Sequence, residues 1–171
     1  MPGNCEAVNE KSKAKKGSGA KKTDNIESYV RRDEGGAICL PSEYLRMATV
    51  NAAKFRQDPR SPRKSAMDLY KAAIISLDAL SPIITATGEL PKTWDYEHRC
   101  RVQIQRSGIT RCRPAFKAGW QSEIALLVNL PEYISPSDLH EVVSSAGRLI
   151  GVGDFRPTYG RFQVTNFEVQ K

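Results

Sequence analysis

Residues 135–164 read "SPSDLHEVVSSAGRLIGVGDFRPTYGRFQV", and the way this stretch divides decides the fold. Its first part carries a helix start. Ser135 fits the N-cap, Pro136 the first helical position and Asp138 the first turn. Leu139, Val142, Val143 and Ala146 recur at i, i+3, i+4 and i+7 as one buried stripe, and Gly147 is predicted to end the helix as its C′ residue. The closing "GRFQVTNFEV", from residue 160, reads as a strand.

The segment between them, residues 147–162, holds Gly147, Gly151, Gly153 and Gly160 together with Arg148, Arg156, Arg161, Phe155, Tyr159 and Phe162. Two readings compete. One is a tight helix-to-strand connection whose aromatic residues cap the core. The other is a loop that grips a ligand, with backbone N–H groups on phosphate oxygens, arginines in bidentate contacts and rings stacked on bases. "GVGDFR" is not G-x-G-x-x-G and follows a helix, which rules out a dinucleotide fingerprint, and no phosphate-binding G-x-x-x-x-G-K-[ST] occurs.

Upstream, "HRCRVQIQRSGITRCRPAF" (residues 98–116) reads as a β-hairpin. A three-residue loop of Arg106, Ser107 and Gly108, with Gly108 left-handed, sets Gln103 against Arg111 and Arg101 against Arg113. That register gathers Arg99, Arg101, Gln103, Arg111 and Arg113 on one face and Cys100, Val102, Ile104 and Cys112 on the other. Arginines opposite each other are mildly unfavourable, and a bound phosphate backbone reverses the sign. An ordinary solvated face is the competing reading.

The rest of the chain completes an α+β pattern. "PSEYLRMATVNAAKF" reads as a helix with Ser42 as N-cap and Leu45, Ala48, Thr49 and Ala52 buried. Residues 56–65 read as an exposed basic loop, residues 72–78 as a strand and residues 81–97 as an extended excursion. Ile124 to Val128 read as a central strand covered on both faces. The order matches a ferredoxin-like, RRM-like antiparallel sheet with two helices on one face and an inserted hairpin at 99–116. Residues 25–171 are expected to form one such domain. Residues 1–24, with six lysines and no apolar periodicity, are expected to be a disordered basic tail.

"GRLIGVGDFRPTYGRFQV" is similar to the C-terminal glycine-rich loop and last strand of the repeat-associated mysterious protein superfamily, the RNA-binding, RRM-like relatives that include backbone subunits of CRISPR surveillance complexes. "GGAICLPSEYLRMATVNAA" resembles the segment in which that group's strand end leads into the first helix, and the two stretches cover about a fifth of the chain. The overall layout also resembles small proteins of tailed bacteriophages. The resemblance implies binding of RNA. Two features depart from the group: no evident first strand follows the lysine tail, and Pro41-Ser42-Glu43 lacks the usual glycine and serine pair.

Composition sets further bounds. The net charge of +7 permits a polyanionic partner. No apolar run approaches a membrane span, and no secretory leader is visible, so a cytoplasmic protein is expected, in the host cytoplasm if viral. Cys5, Cys39, Cys100 and Cys112 lack C-x-x-C spacing, and with only His98 and His140 beside them no metal site is expected. No cofactor is implied.

The function expected is therefore a non-enzymatic module for single-stranded RNA or DNA. Its contacts would be Arg99, Arg101, Arg111, Arg113, Arg148, Phe155, Arg156, Tyr159 and Arg161 around the loop glycines Gly147, Gly151, Gly153 and Gly160. A viral or host-interaction assembly protein, binding a protein partner or its own copies without nucleic acid, is the alternative. A second alternative is a metal-independent endoribonuclease with His98 as its acid or base. His140, beside the buried stripe of its helix, reads as structural.

Overall fold

The computed structural model describes residues 25–104 and 107–170, so the expected N-terminal tail and the tip of the hairpin lie outside the described residues. The chain is α+β, with three helices and four small antiparallel sheets among the described residues. The order is β1 (Arg31–Arg32), β2 (Ile38–Pro41), α1 (Glu43–Ala52), β3 (Gln57–Asp58), β4 (Ser61–Ser65), α2 (Met67–Ala73), β5 (Ile74–Ser76), β6 (Leu80–Pro82), β7 (Tyr96–Ile104), β8 (Ser107–Ala115), β9 (Leu126–Val128) and α3 (Pro136–Leu149). The sheets run β1-β2-β6, β3-β4, β5-β9 and β7-β8.

The core lies where α1 and α3 pack together over α2 and β5. Ala48 and Ala52 of α1 meet Leu139, Val142, Val143 and Ala146 of α3, with Leu69 and Ile74 beneath. Small residues on α1 let the helices approach closely. Ile74, Leu69 and Val142 are essentially solvent-free, each removing roughly 1.5–3 kcal/mol of apolar exposure.

The α3 start is as the residues predict. The Ser135 hydroxyl accepts from the Asp138 N–H, and the Asp138 carboxylate accepts from the Ser135 backbone, a reciprocal capping box with Pro136 beside it. The helix does not stop at Gly147, however; it runs to Leu149, and Gly151, at φ 77°, is the left-handed terminator, its N–H reaching the Ala146 carbonyl at 2.8 Å. Ser42 does not cap α1 either. It sits in helical conformation, and its buried hydroxyl bonds that of Ser81 at 2.7 Å, tying α1 to β6.

Other elements differ from expectation for identifiable reasons. The basic stretch 56–65 is the β3–β4 hairpin: the buried Asp58 carboxylate grips Arg60 through Nε at 3.0 Å and Nη2 at 2.8 Å across the turn. Pro62 is tolerated because β4 is an edge strand. The strand expected over 72–78 begins only at Ile74, since α2 continues to Ala73. β9 is not covered on both faces: Leu127 is 44% exposed, opposite the equally exposed Ile75 of β5. Residues 160–170 pair into no ladder, although Phe162 and Val164 still turn inward against the core. No helix of the described residues is long and apolar enough to cross a membrane.

Candidate nucleic-acid interface on the hairpin and the glycine-rich loop

Among the described residues β7 and β8 pair only with each other, forming a ribbon of nine residues on each side, roughly 30 Å long. The observed register sets His98 against Arg113, Cys100 against Arg111, Arg99 against Cys112 and Arg101 against Thr110. The connection is thus two residues, 105–106, rather than three. The change displaces the expected pairing by three positions. Because side chains alternate along a strand, an odd displacement turns one strand's set over relative to the other's. The five polar residues therefore do not share a face. Arg99, Arg101 and Gln103 lie on one side, and Arg111 and Arg113 on the other with His98.

The His98 face docks on the segment that follows α3. That segment, residues 151–160, is a loop closed at its neck: the Val152 N–H donates to the Gly160 carbonyl at 2.8 Å, and Tyr159 N–H to Phe155 O at 3.0 Å. The glycines are there for close approach of backbones. A Cβ on Gly160, whose φ is 75°, would lie 1.8 Å from the Val152 carbonyl oxygen, and one on Gly147 would lie 2.1 Å from that of Phe162. Gly151 faces the Gly160 carbonyl in the same way, whereas Gly153 has open space around it.

Two interactions fasten loop to ribbon. The Asp154 carboxylate accepts from Arg113 Nε, with Arg111 Nη1 at 3.9 Å from the same oxygen. The His98 ring packs against Phe155, with centroids 5.2 Å apart, and against Tyr159 at 4.5 Å. On its outer side the Arg113 guanidinium covers the ring of Tyr29, 3.6 Å from its centroid, which joins the turn at residues 26–29 to the same cluster. Asp154 and Tyr29 are members that sequence reasoning missed. No local spacing marks either one, since each is recruited across more than forty residues of chain or by a turn with no periodicity.

The expected contact residues thus fall into three groups. Arg111, Arg113, Phe155 and Tyr159 are engaged in the clasp, although Tyr159 remains 49% exposed. Arg156 and Arg161 brace the loop from within, donating to the Gly153 carbonyl at 2.7 Å and the Pro157 carbonyl at 3.0 Å. Arg99, Arg101 and Arg148 remain exposed, the last at the end of α3. Among the described residues Arg99 has Glu97, at 3.8 Å, as its ion-pair partner, and its side chain is 73% exposed. Arg101 lies across Gly108, where a Cβ would come within 2.7 Å of its Nε. With Gln103 and Thr110, these two arginines make the outer face of the ribbon an exposed donor surface.

Among the described residues no three His, Cys, Asp or Glu side chains gather as a metal site would require. Compared with known proteins, the chain matches no family model, no curated protein and no solved structure.

Proposed function

We propose that this chain is a nucleic-acid-binding module whose contact surface is the outer face of the β7–β8 ribbon. The observation that carries the reading is the exposure of Arg99 and Arg101 side by side on a projecting ribbon whose other face is locked to the loop. Guanidinium groups held on a rigid, solvated strand pair are suited to phosphate oxygens, while Gln103 and Thr110 offer hydrogen bonds to sugar or base edges. The loop's part in this reading is to hold the ribbon, with the half-exposed Tyr159 at its margin as a stacking surface.

The order β2, α1, β5, β9, α3, with β5 and β9 antiparallel and the ribbon inserted between them, supports a ferredoxin-like, RRM-like reading of the domain. The sequence resemblance to RNA-binding relatives of that fold points the same way and favours a single strand as the ligand.

The test is a salt titration of binding to single-stranded RNA and DNA. Affinity should fall as salt rises, and the double variant R99A/R101A should flatten the log–log slope by roughly 1.4, about 0.7 for each lost phosphate contact. Absence of binding near about 50 mM salt, or affinity unchanged up to about 300 mM, overturns the reading.

One observation favours a second reading, self-association. Ile75 and Leu127 stand opposite each other on the outward face of the β5–β9 pair, with Leu77, 60% exposed, following. Light scattering after nuclease treatment separates the two readings: a surviving oligomer that I75S/L127S dissolves supports assembly.

A further inference from the structure

The stretch after the glycine-rich loop has the residues of a strand and no strand beside it. "FQVTNFEV", residues 162–169, is rich in β-branched and aromatic side chains, and exposure alternates from Arg161 to Thr165. Its start is fixed to the body. The Phe162 N–H donates to the Gly147 carbonyl at 3.2 Å, and Phe162 and Val164 pack against the core. Further on, the Phe167 ring meets that of His140 with centroids 5.0 Å apart, so the segment runs back along α3. Beyond Phe162, no backbone N–H or carbonyl from Gln163 to Gln170 makes a hydrogen bond among the described residues.

An extended backbone of this kind is a row of open donors and acceptors. Proteins usually guard such a row with proline, lysine or a bulge. Residues 163–169 contain neither proline nor lysine, and Glu168 is their one charge. Phe167 is 36% exposed and Val169 57% exposed, and strand alternation sets the two on one face.

The order of these residues names what fits against them. Two identical antiparallel strands related by a twofold axis must set one residue opposite its own copy, because facing side chains lie on the same side of the sheet. With Phe167 on the axis, Thr165 faces Val169 and Asn166 faces Glu168. Ring against ring, β-branched against β-branched and carboxamide against carboxylate are favourable cross-strand pairs. The amide and the carboxylate already match within one chain, where Asn166 Nδ2 donates to Glu168 Oε1 at 2.9 Å. Neighbouring registers are worse. An axis at Thr165 or Asn166 sets Glu168 against Phe162 or Val164, and an axis at Glu168 sets like charges together.

We infer that residues 163–169 are a contact between two copies of this chain, paired antiparallel with Phe167 on the twofold axis. Seven residues from each copy make a ribbon about 23 Å long, a small interface that gives a weak, concentration-dependent dimer. The inference goes beyond the nucleic-acid reading and does not need it, and it uses neither the ribbon arginines nor the Ile75–Leu127 pair.

The experiment is light scattering on the nuclease-treated full chain over a concentration series. The mass should rise toward that of two chains, with a dissociation constant of roughly 10 to 100 μM. T165P/N166P removes one N–H donor from each of the two possible hydrogen-bonding phases. It should weaken the dimer at least tenfold and leave the melting temperature unchanged, because neither N–H is bonded within the chain. I75S/L127S should leave the dimer intact. Mild oxidation then reads the register. F167C should crosslink to its own copy well above the wild-type background, since facing Cα atoms lie about 4.5–5.5 Å apart. Q163C, whose copies lie eight positions out of step, should not. If T165P/N166P does not fold, the two cysteine variants carry the test. A monomer throughout, a dimer indifferent to a folded T165P/N166P, or Q163C crosslinking as readily as F167C overturns the inference. A dimer dissolved by I75S/L127S alone overturns it too, and assigns self-association to the β5–β9 face.

Discussion

Arg113 of β8 and Asp154 of the loop after α3 form the ion pair that closes the ribbon onto the rest of the molecule. The Arg113 side chain is only 14% exposed, pinned between that carboxylate and the Tyr29 ring. Removing the carboxylate leaves a mostly buried guanidinium without its anion. D154A is therefore expected to lower stability by about 1–3 kcal/mol, measured by urea unfolding, and to speed amide exchange in residues 151–160. Exchange in that loop unchanged from wild type would show that the pair does not hold it.

The two loop glycines Gly160 and Gly153 share a positive φ but differ in surroundings. G153A meets open space and should cost about 1–2 kcal/mol, the penalty of left-handed backbone for a residue with a Cβ. G160A drives a methyl into the Val152 carbonyl and should cost clearly more, about 3 kcal/mol or above. Equal melting temperatures for the two variants would contradict the closed neck of the loop.

Arginines on the two faces of the ribbon should separate in two assays. R99A and R101A are expected to leave stability within about 0.5 kcal/mol of wild type, as exposed substitutions do, while weakening oligonucleotide binding. R113A should destabilise the fold by about 1 kcal/mol or more. A pattern in which R99A unfolds the protein and R113A does not would reverse the assignment of faces.

Alkaline pH tests Tyr70. Its phenol is raised to about 12 in the folded protein, above its usual value of about 10. The folded state therefore holds its proton more tightly. The matching stability is complete below pH about 10 and is lost as pH rises through the folded value near 12. Y70F should remove that alkaline loss, and at neutral pH it should be nearly neutral, because the hydroxyl it deletes makes no hydrogen bond among the described residues. Identical alkaline unfolding profiles for wild type and Y70F would refute this.

Acid pH tests Asp58 with the opposite sign. Hydrogen bonds from the Arg60 side chain and backbone hold its carboxyl below the usual carboxylate range. Its contribution is present above pH about 4 and disappears as pH falls through the lowered folded value. The stability gap between wild type and D58N should accordingly close on acidification; a gap constant down to low pH would exclude the pair as its source.

Much of the local structure was legible in the residues alone. The capping box at Ser135, Pro136 and Asp138 lies within four consecutive positions, so its geometry depends on neighbours in sequence and reads directly from them. The α1 and α3 stripes are equally local, because burial there follows helical period. The hairpin at 96–115 was visible for the same reason, through its β-branched and alternating residues.

What the sequence by itself determined, then, is that α1, α3 and the ribbon form, and that residues 147–160 are rich in glycine; α2 was not among its helices. Only the tertiary structure decided why that loop needs glycine and where the arginines point. Gly147 and Gly160 answer to the carbonyls of Phe162 and Val152, and the ribbon's register is bound up with His98 seating against Phe155 and Tyr159. Alternation along a strand states which side chains share a face within that strand. It says nothing of the partner's phase until the pairing register is set, and contacts distant in sequence favour that register.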